Sequence, residues 1–136
     1  MAKNFEIEIV MPAGTFFKGE IWHVRAPGVD GDFGVLADHA PLMAGLRAGR
    51  LRIDQANESF DFVITGGFFE VHDNRAVILA ENCLRREDID LDRAMAARER
   101  ALQALAAATS PEGQGSARTA LDKAVAIIKF AEQIPT

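Results

Sequence analysis

Residues able to do chemistry are few in this 136-residue chain, and they are scattered. The three histidines, His23, His39 and His72, lie too far apart in sequence for an HxxxH metal pair. His23 and His72 fall at outward or rim positions of short alternating segments. Cys83 is the only cysteine and has no CxxC partner. It suits a small apolar packing position better than a nucleophile, which needs a lowered pKa. There is no GxSxG elbow. Thr65-Gly66-Gly67 leads into a strand-like segment and not a helix, so no helix N-terminus follows to receive a phosphate; a hairpin corner or close strand crossing fits it. Asp30 and Asp32 flank Gly31 in an exposed turn, a pairing that chance supplies among 20 acids. Catalysis finds no support here, and no cofactor or metal is expected.

The elements that would carry these residues change character along the chain. Up to Ala80 the apolar pattern has period two. Phe5, Ile7, Ile9 and Met11 alternate with Asn4, Glu6 and Glu8 until Pro12 and Gly14 intervene. Phe16-Phe17 and Ile21–Ala26 read as strands separated at Gly19. Leu51 and Ile53 oppose Arg50, Arg52 and Asp54; Phe60, Phe62 and Ile64 oppose Ser59, Asp61 and Val63. Phe68–His72 and Arg75–Ala80 flank an Asp73-Asn74 turn. Breaks every 8 to 12 residues are the spacing of an antiparallel sandwich or barrel. Within this half, Gly28–Leu46 is too apolar for an ordinary loop and too broken by Gly and Pro for a helix. Apolar residues in a fixed irregular conformation usually meet something, either a substrate or another protein.

From Asp90 the period becomes 3.6. Leu91, Ala94, Met95, Arg98, Ala101, Leu102 and Leu105 share one face, with Asp88 or Asp90 as cap. Thr109–Gly115 is expected to stop this helix and Ser116 to cap a second one. The second carries Ala117, Ala120, Leu121, Ala124, Val125, Ile128 and Ala131 in a stripe and ends near Pro135. Helices of about 25 Å, at 1.5 Å per residue, are marginal alone, so an antiparallel hairpin is expected, with alanines letting the axes approach. Charge divides at the same place. Residues 1–88 carry 9 Lys/Arg against 14 Asp/Glu, while residues 89–136 carry 6 of each. The expected organisation is α+β by segregation: an antiparallel β-sandwich over 1–88 and an α-helical hairpin over 89–136.

Composition bounds the partners. Hydrophobic content of 49% with 26% charged suits a soluble globular protein, and no apolar run approaches the ~20 residues of a membrane span. A net charge of −5 disfavours non-specific nucleic-acid binding. The N-terminus MAKNFEIEIV enters structure directly and shows no signal or transit peptide. A single cysteine fits a reducing compartment.

Four blocks in order carry a resemblance: PGVDGDFGVLADHAPL at Pro27–Leu42, TGGFFEV at Thr65–Val71, VILAE at Val77–Glu81, and EDIDLDRA at Glu87–Ala94. Through them the chain resembles the epsilon subunit of the bacterial F-type ATP synthase, the equivalent of the mitochondrial delta subunit. The resemblance implies a sandwich of about ten short strands, a helical hairpin and no catalytic role. It implies a central-stalk rotor subunit that couples c-ring rotation to ATP synthesis, peripheral on the cytoplasmic side of the bacterial inner membrane. By the same resemblance, Asp30, Gly31 and Asp32 would face the polar loops of the c-ring, and His39, Ala40, Pro41 and Leu42 the gamma subunit.

The hairpin is the family's regulatory element, able in many bacterial members to open and reach the catalytic beta and alpha subunits. An ATP-sensing, inhibitory switch is the alternative reading. For nucleotide binding, Ile89, Asp90, Arg93 and Ala94 match the family motif, and Lys123 lies near one expected arginine. Leu84, however, stands where binding members have Glu, and the apolar Ile127 falls near the other arginine. With only Arg118, Lys123 and Lys129 as basic residues on the second helix, a triphosphate finds few donors. Opening would expose Leu102, Leu105, Leu121, Val125 and Ile128, and with no net charge over residues 89–136 an acidic shell attracts the hairpin little, so a folded, weakly inhibitory hairpin is expected.

Overall fold

The computed structural model describes residues 3–133. Ten strands come first: β1 (Phe5–Met11), β2 (Gly14–Ile21), β3 (His23–Gly28), β4 (Gly31–Leu36), β5 (Leu42–Leu46), β6 (Gly49–Asp54), β7 (Ser59–Ile64), β8 (Gly67–His72), β9 (Arg75–Ala80) and β10 (Cys83–Leu84). A single 3-10 turn at Arg86–Asp88 leads into α1 (Leu91–Ala107) and α2 (Pro111–Glu132). This is the expected sandwich followed by a hairpin.

The sheet runs β10-β7-β6-β3-β5-β8-β9-β1-β2, with β4 paired to β3. It folds over on itself, and aromatic edges close it: Phe16 meets Phe62 at 5.0 Å and Phe17 meets Phe60 at 5.2 Å. Inward positions are dry. Ile7, Ile9, Ile21, Val24, Leu51, Ile53, Ile64 and Ile78 have no exposed surface. These are the period-two residues of the sequence, whose alternation places them on one side of the pleat. Tight turns keep that register. Asp73 and Asn74 both adopt positive φ, the two-residue hairpin geometry whose twist suits β8 and β9. At Gly67, a Cβ would lie 2.0 Å from the Leu79 carbonyl oxygen, so the TGG segment is a close strand crossing that admits only glycine.

Four details depart from the sequence expectation. β1 pairs with β9 in parallel, alone among antiparallel pairings; the two are so far apart in sequence that the rest of the sandwich serves as their crossover. Strand β2 continues through Gly19, and the break falls at Trp22, whose N–H donates to the Asp54 carbonyl at 2.7 Å. Val63 is fully buried although it points out of the sandwich, because α2 and the 3-10 turn pack against β7. Helix α2 starts five residues earlier than Ser116. Ser110 is its cap, accepting from the Gly113 N–H at 3.0 Å, and Pro111 takes the first helical position. Gly113 and Gly115 thus lie inside the first turns, and the connection between helices is residues 108–110. Pro135, expected to mark the end of α2, lies outside the described residues.

The two helices meet through Ala94 and Ala101 on α1 and Ala117 and Ala124 on α2, all buried. Only α2 packs extensively on the sheet, over β6 and β7. Part of the α1 stripe consequently stays open: Leu91, Met95 and Leu102 are each about two-fifths exposed.

Candidate functional site

Asp30 and Gly31 form the tip joining β3 to β4, where Gly31 takes φ 130°. Asp32, the second residue of β4, pairs with Pro27 and is half-exposed. Its carboxylate is bound by the Arg47 guanidinium and lies 3.8 Å from Arg25 Nη2. Two of the three tip residues are therefore open, while the acid of the third is partly neutralised by arginines of β3 and the β5–β6 connection. His39, Ala40 and Pro41 occupy the exposed connection between β4 and β5, with His39 Nδ1–H donating to the Ala40 carbonyl at 2.6 Å. Leu42 starts β5 and packs against the core. The tip and this connection lie at opposite ends of β4, about 17–20 Å apart for six residues.

Between the two ends, the outer face of β5, β8 and β9 is apolar. Phe68 is 63% exposed, Leu79 54%, Met43 76% and Val29 61%. Register makes them neighbours: Phe68 stands opposite Gly45 and Leu79, and Leu79 opposite Val10. Val29 reaches over Gly45 from the β3–β4 turn, and Met43 lies diagonal to Phe68. Exposed apolar residues clustered in this way form a surface suited to contact with another molecule. The tell-tale in the sequence is the run Gly-Gly-Phe-Phe-Glu-Val: in a regular strand two adjacent phenylalanines point to opposite faces.

On the other side, α2 and β6 enclose a cleft of about 920 Å³. Arg25, Arg47, Arg50, Arg52, Lys123 and Lys129 line it together with Asp32, Glu81 and Asp122. The charges are largely engaged within the chain. Arg50 grips Asp61 through two bonds of 3.0 and 2.7 Å, Arg52 Nε reaches Asp54 at 3.1 Å, and Lys123 Nζ reaches Glu81 at 2.6 Å. The expected nucleotide residues divide between two places. Asp90 caps α1 by accepting from the Arg93 N–H at 3.1 Å, Ala94 is buried in the helix seam, Arg93 is exposed and Ile89 half-buried. Lys123 alone of the five lines the cleft.

Two titrating groups are displaced from their ordinary values. Burial pushes the Cys83 thiol up to about 12, so it stays protonated and unreactive. Burial also raises Asp54, but bonds from Ser59 at 2.6 Å, His23 at 3.1 Å and Arg52 outweigh it and hold the carboxyl below its usual range. The Asp54 cluster ties β3, β6 and β7 together. Its Ser is bonded to the Asp and not to the His, so it is no nucleophilic triad. Among the described residues no group of His, Cys, Asp or Glu has metal-ligand geometry.

The beta-sandwich domain of the ATP synthase delta/epsilon chain matches residues 4–86, and that chain's long alpha-helix domain matches residues 87–132. The chain belongs to the ATP synthase delta/epsilon family. An ATP synthase epsilon chain of Desulforamulus reducens is 43% identical over 97% of this chain and all of its own length. The epsilon chain of Nitratidesulfovibrio vulgaris is 39% identical over 93% of this chain and 94% of its own. Among solved structures, a chain of the Euglena gracilis mitochondrial ATP synthase superposes with a TM-score of 0.80 at 20% identity, covering 93% of this chain and 81% of that one. A chain of the Tetrahymena thermophila central stalk and c-ring gives 0.71 at 17%, covering 96% and 98%. The structural likenesses establish the fold. Family membership makes this chain a non-catalytic subunit of ATP synthase, and no described helix is long and apolar enough to cross a membrane.

Proposed function

We propose that the chain is a rotor subunit in the central stalk of a proton-translocating F-type ATP synthase, coupling c-ring rotation to ATP synthesis by docking on gamma. The observation that carries this reading is the exposed apolar patch of Val29, Met43, Phe68 and Leu79. A subunit with no active site of its own acts through what it holds, and this patch is the surface best suited to hold a protein. Gamma is proposed to seat on it, with His39, Ala40, Pro41 and Leu42 bordering the contact. The Asp30-Gly31-Asp32 tip is proposed to meet the polar loops of the c-ring. Such a placement puts the subunit on the cytoplasmic side of the bacterial inner membrane, peripheral to it. Residues 1–88 would form the docking domain and residues 89–136 the regulatory one.

The supports are the relatives' identity as epsilon chains and the origin of the similar folds in F1/c-ring and central-stalk/c-ring assemblies. The folded hairpin is proposed to inhibit ATP hydrolysis weakly. Asp90 serves as a helix cap and Lys123 is held by Glu81, which leaves the nucleotide motif without its charged groups gathered. Gel filtration of the full chain with a gamma subunit tests the docking. Co-elution is expected for the natural chain and its loss for Phe68→Asp; co-elution of that variant at unchanged affinity would remove the patch from the interface.

A further inference from the structure

Asp32 sits between two arginines that come from different segments of the sandwich. Register puts it opposite Pro27, and Arg25, two residues earlier on β3, is its diagonal neighbour on the same face. Gly34, opposite Arg25, has no side chain to come between them. The Arg25 guanidinium lies 3.8 Å from one Asp32 oxygen, while Arg47 binds the other. Arg47 is placed by its own backbone, whose N–H donates to the Pro27 carbonyl at 2.9 Å; beside it the Val29 N–H donates to the Gly45 carbonyl at 2.9 Å. The Arg47 side chain then passes Gly49. A Cβ at that glycine would lie 2.8 Å from Pro27 Cβ and 2.9 Å from Arg47 Nη1, so glycine leaves the room that the guanidinium needs.

The cluster has an excess of donors. A carboxylate offers about four acceptor sites, and each guanidinium carries about five N–H donors. Arg47 uses Nη2 on Asp32 and Nη1 on the Ala48 carbonyl at 3.4 Å. The Arg25 guanidinium makes no hydrogen bond among the described residues. Both arginine side chains are open to solvent, 62% exposed at Arg25 and 47% at Arg47, against 40% for Asp32. Net charge gives little attraction here, because the exposed Asp30 at the tip balances the second arginine. What remains is a donor-rich fork. It suits oxygen acceptors: the peptide carbonyls of a loop, or its side-chain amide and carboxylate oxygens.

We propose that Arg47 is the residue through which the β3–β4 tip binds the polar loops of the c-ring, and that Asp32 is its positioning residue and does not itself touch those loops. The proposal rests on the reading that this tip meets the c-ring. It assigns the acid to a partner inside the chain and the outward contact to the donor that the acid orients. Arg47 lies outside the turn, on the β5–β6 connection, and only the fold brings it to the tip.

The test uses the assembled F1 complex carrying variants of this chain, titrated with detergent-solubilised c-rings. Arg47→Gln should weaken binding about ten-fold through loss of a charge-assisted contact. Gly49→Ala keeps every charge but fills the room Arg47 needs, and should weaken binding in the same direction. Asp32→Asn should weaken it as well, and combined with Arg47→Gln it should be no worse than Arg47→Gln alone. Additive losses would make Asp32 a contact in its own right and overturn its positioning role. Exchanging the pair, Asp32→Arg with Arg47→Asp, restores an ion pair within the chain yet should bind as weakly as Arg47→Gln. Recovery would reduce the two residues to an internal ion pair and overturn the proposal. The placement of the tip has its own check. The full chain with Asp30→Cys carrying a benzophenone, its buried Cys83 unlabelled, should photo-cross-link to the c-ring in the same complex. No cross-link would remove the tip from the c-ring, and the proposal with it. A cross-link together with unchanged binding by Arg47→Gln would overturn the role of Arg47 alone.

Discussion

The inside of the sandwich and the seat of α2 on its outer face are both contacts between a sheet and what covers it, yet they are made differently. Inside, alternate residues of nearly every strand meet with no exposed surface. Under α2, Arg50, Arg52, Lys123 and Lys129 line open space. The first arrangement depends on apolar area and shape, which salt and small charge changes leave alone. The second depends on a cation over one aromatic ring and an ion pair whose two side chains are 31% and 54% exposed. A domain held by the first kind of contact folds or unfolds as a whole; the second kind responds to salt and to single charge changes.

That contrast can be broken by experiment, most severely in the core. Phe69 is 1% exposed and meets Phe33 at 5.1 Å. Phe69→Ala should lower stability by about 3–5 kcal/mol in urea denaturation; a loss under about 1 kcal/mol would mean that the sandwich is less closely packed than its burial indicates. Its sequence neighbour Phe68 points the other way. Phe68→Asp should change stability by no more than about 0.5 kcal/mol while weakening gamma binding by about 2 kcal/mol or more, measured by titration calorimetry. Equal damage to both properties would make Phe68 a folding residue. Deleting residues 89–136 should leave a folded sandwich and nearly unchanged ATP hydrolysis by the assembled enzyme, and a several-fold activation would refute weak inhibition.

The smallest effects are titrations. Asp54 has a folded pKa held below the ordinary aspartate value of 3.8, so its contribution is fully present above that value. It is lost as pH falls from there through the folded pKa. Ser59→Ala removes one of the bonds that lower it and should move the acid-unfolding midpoint upward; an unmoved midpoint would show that Ser59 contributes little. Cys83 should resist thiol reagents at neutral pH until the chain unfolds, and reaction at the rate of an exposed thiol would contradict its burial.

Much of this arrangement was legible in the residues. Period two up to Ala80 and period 3.6 from Asp90 mark the change from sheet to helix because each periodicity places one set of side chains on one face. The blocks at Pro27–Leu42 and Glu87–Ala94 carried the family. The start of α2 was misplaced because Gly113 and Gly115 look like breakers, whereas Ser110 and Pro111 had already begun the helix. The first turn tolerates glycine at a modest cost when its orphan N–H groups are capped. The apolar patch is not legible in the alternation, which marks the inward half of each strand and leaves the outer half to tertiary neighbours. Phe68, Leu79 and Met43 are on three strands; the Asp73-Asn74 turn sets β8 beside β9, but nothing in the sequence sets β5 beside β8.

The sequence by itself determined which residues of most strands turn inward and where sheet gives way to helix, for these follow from spacing along one strand or one helix; the burial of Val63 came from the packing of α2. Tertiary structure alone decided that β1 runs parallel to β9, that Asp32 is met by Arg47 and Arg25, and that Arg86 rests on Phe130 forty-four positions away. Contacts between distant segments depend on how the sheet closes and where the hairpin lands. Those are properties of the packed whole, in which the register of one strand sets the neighbours of the next.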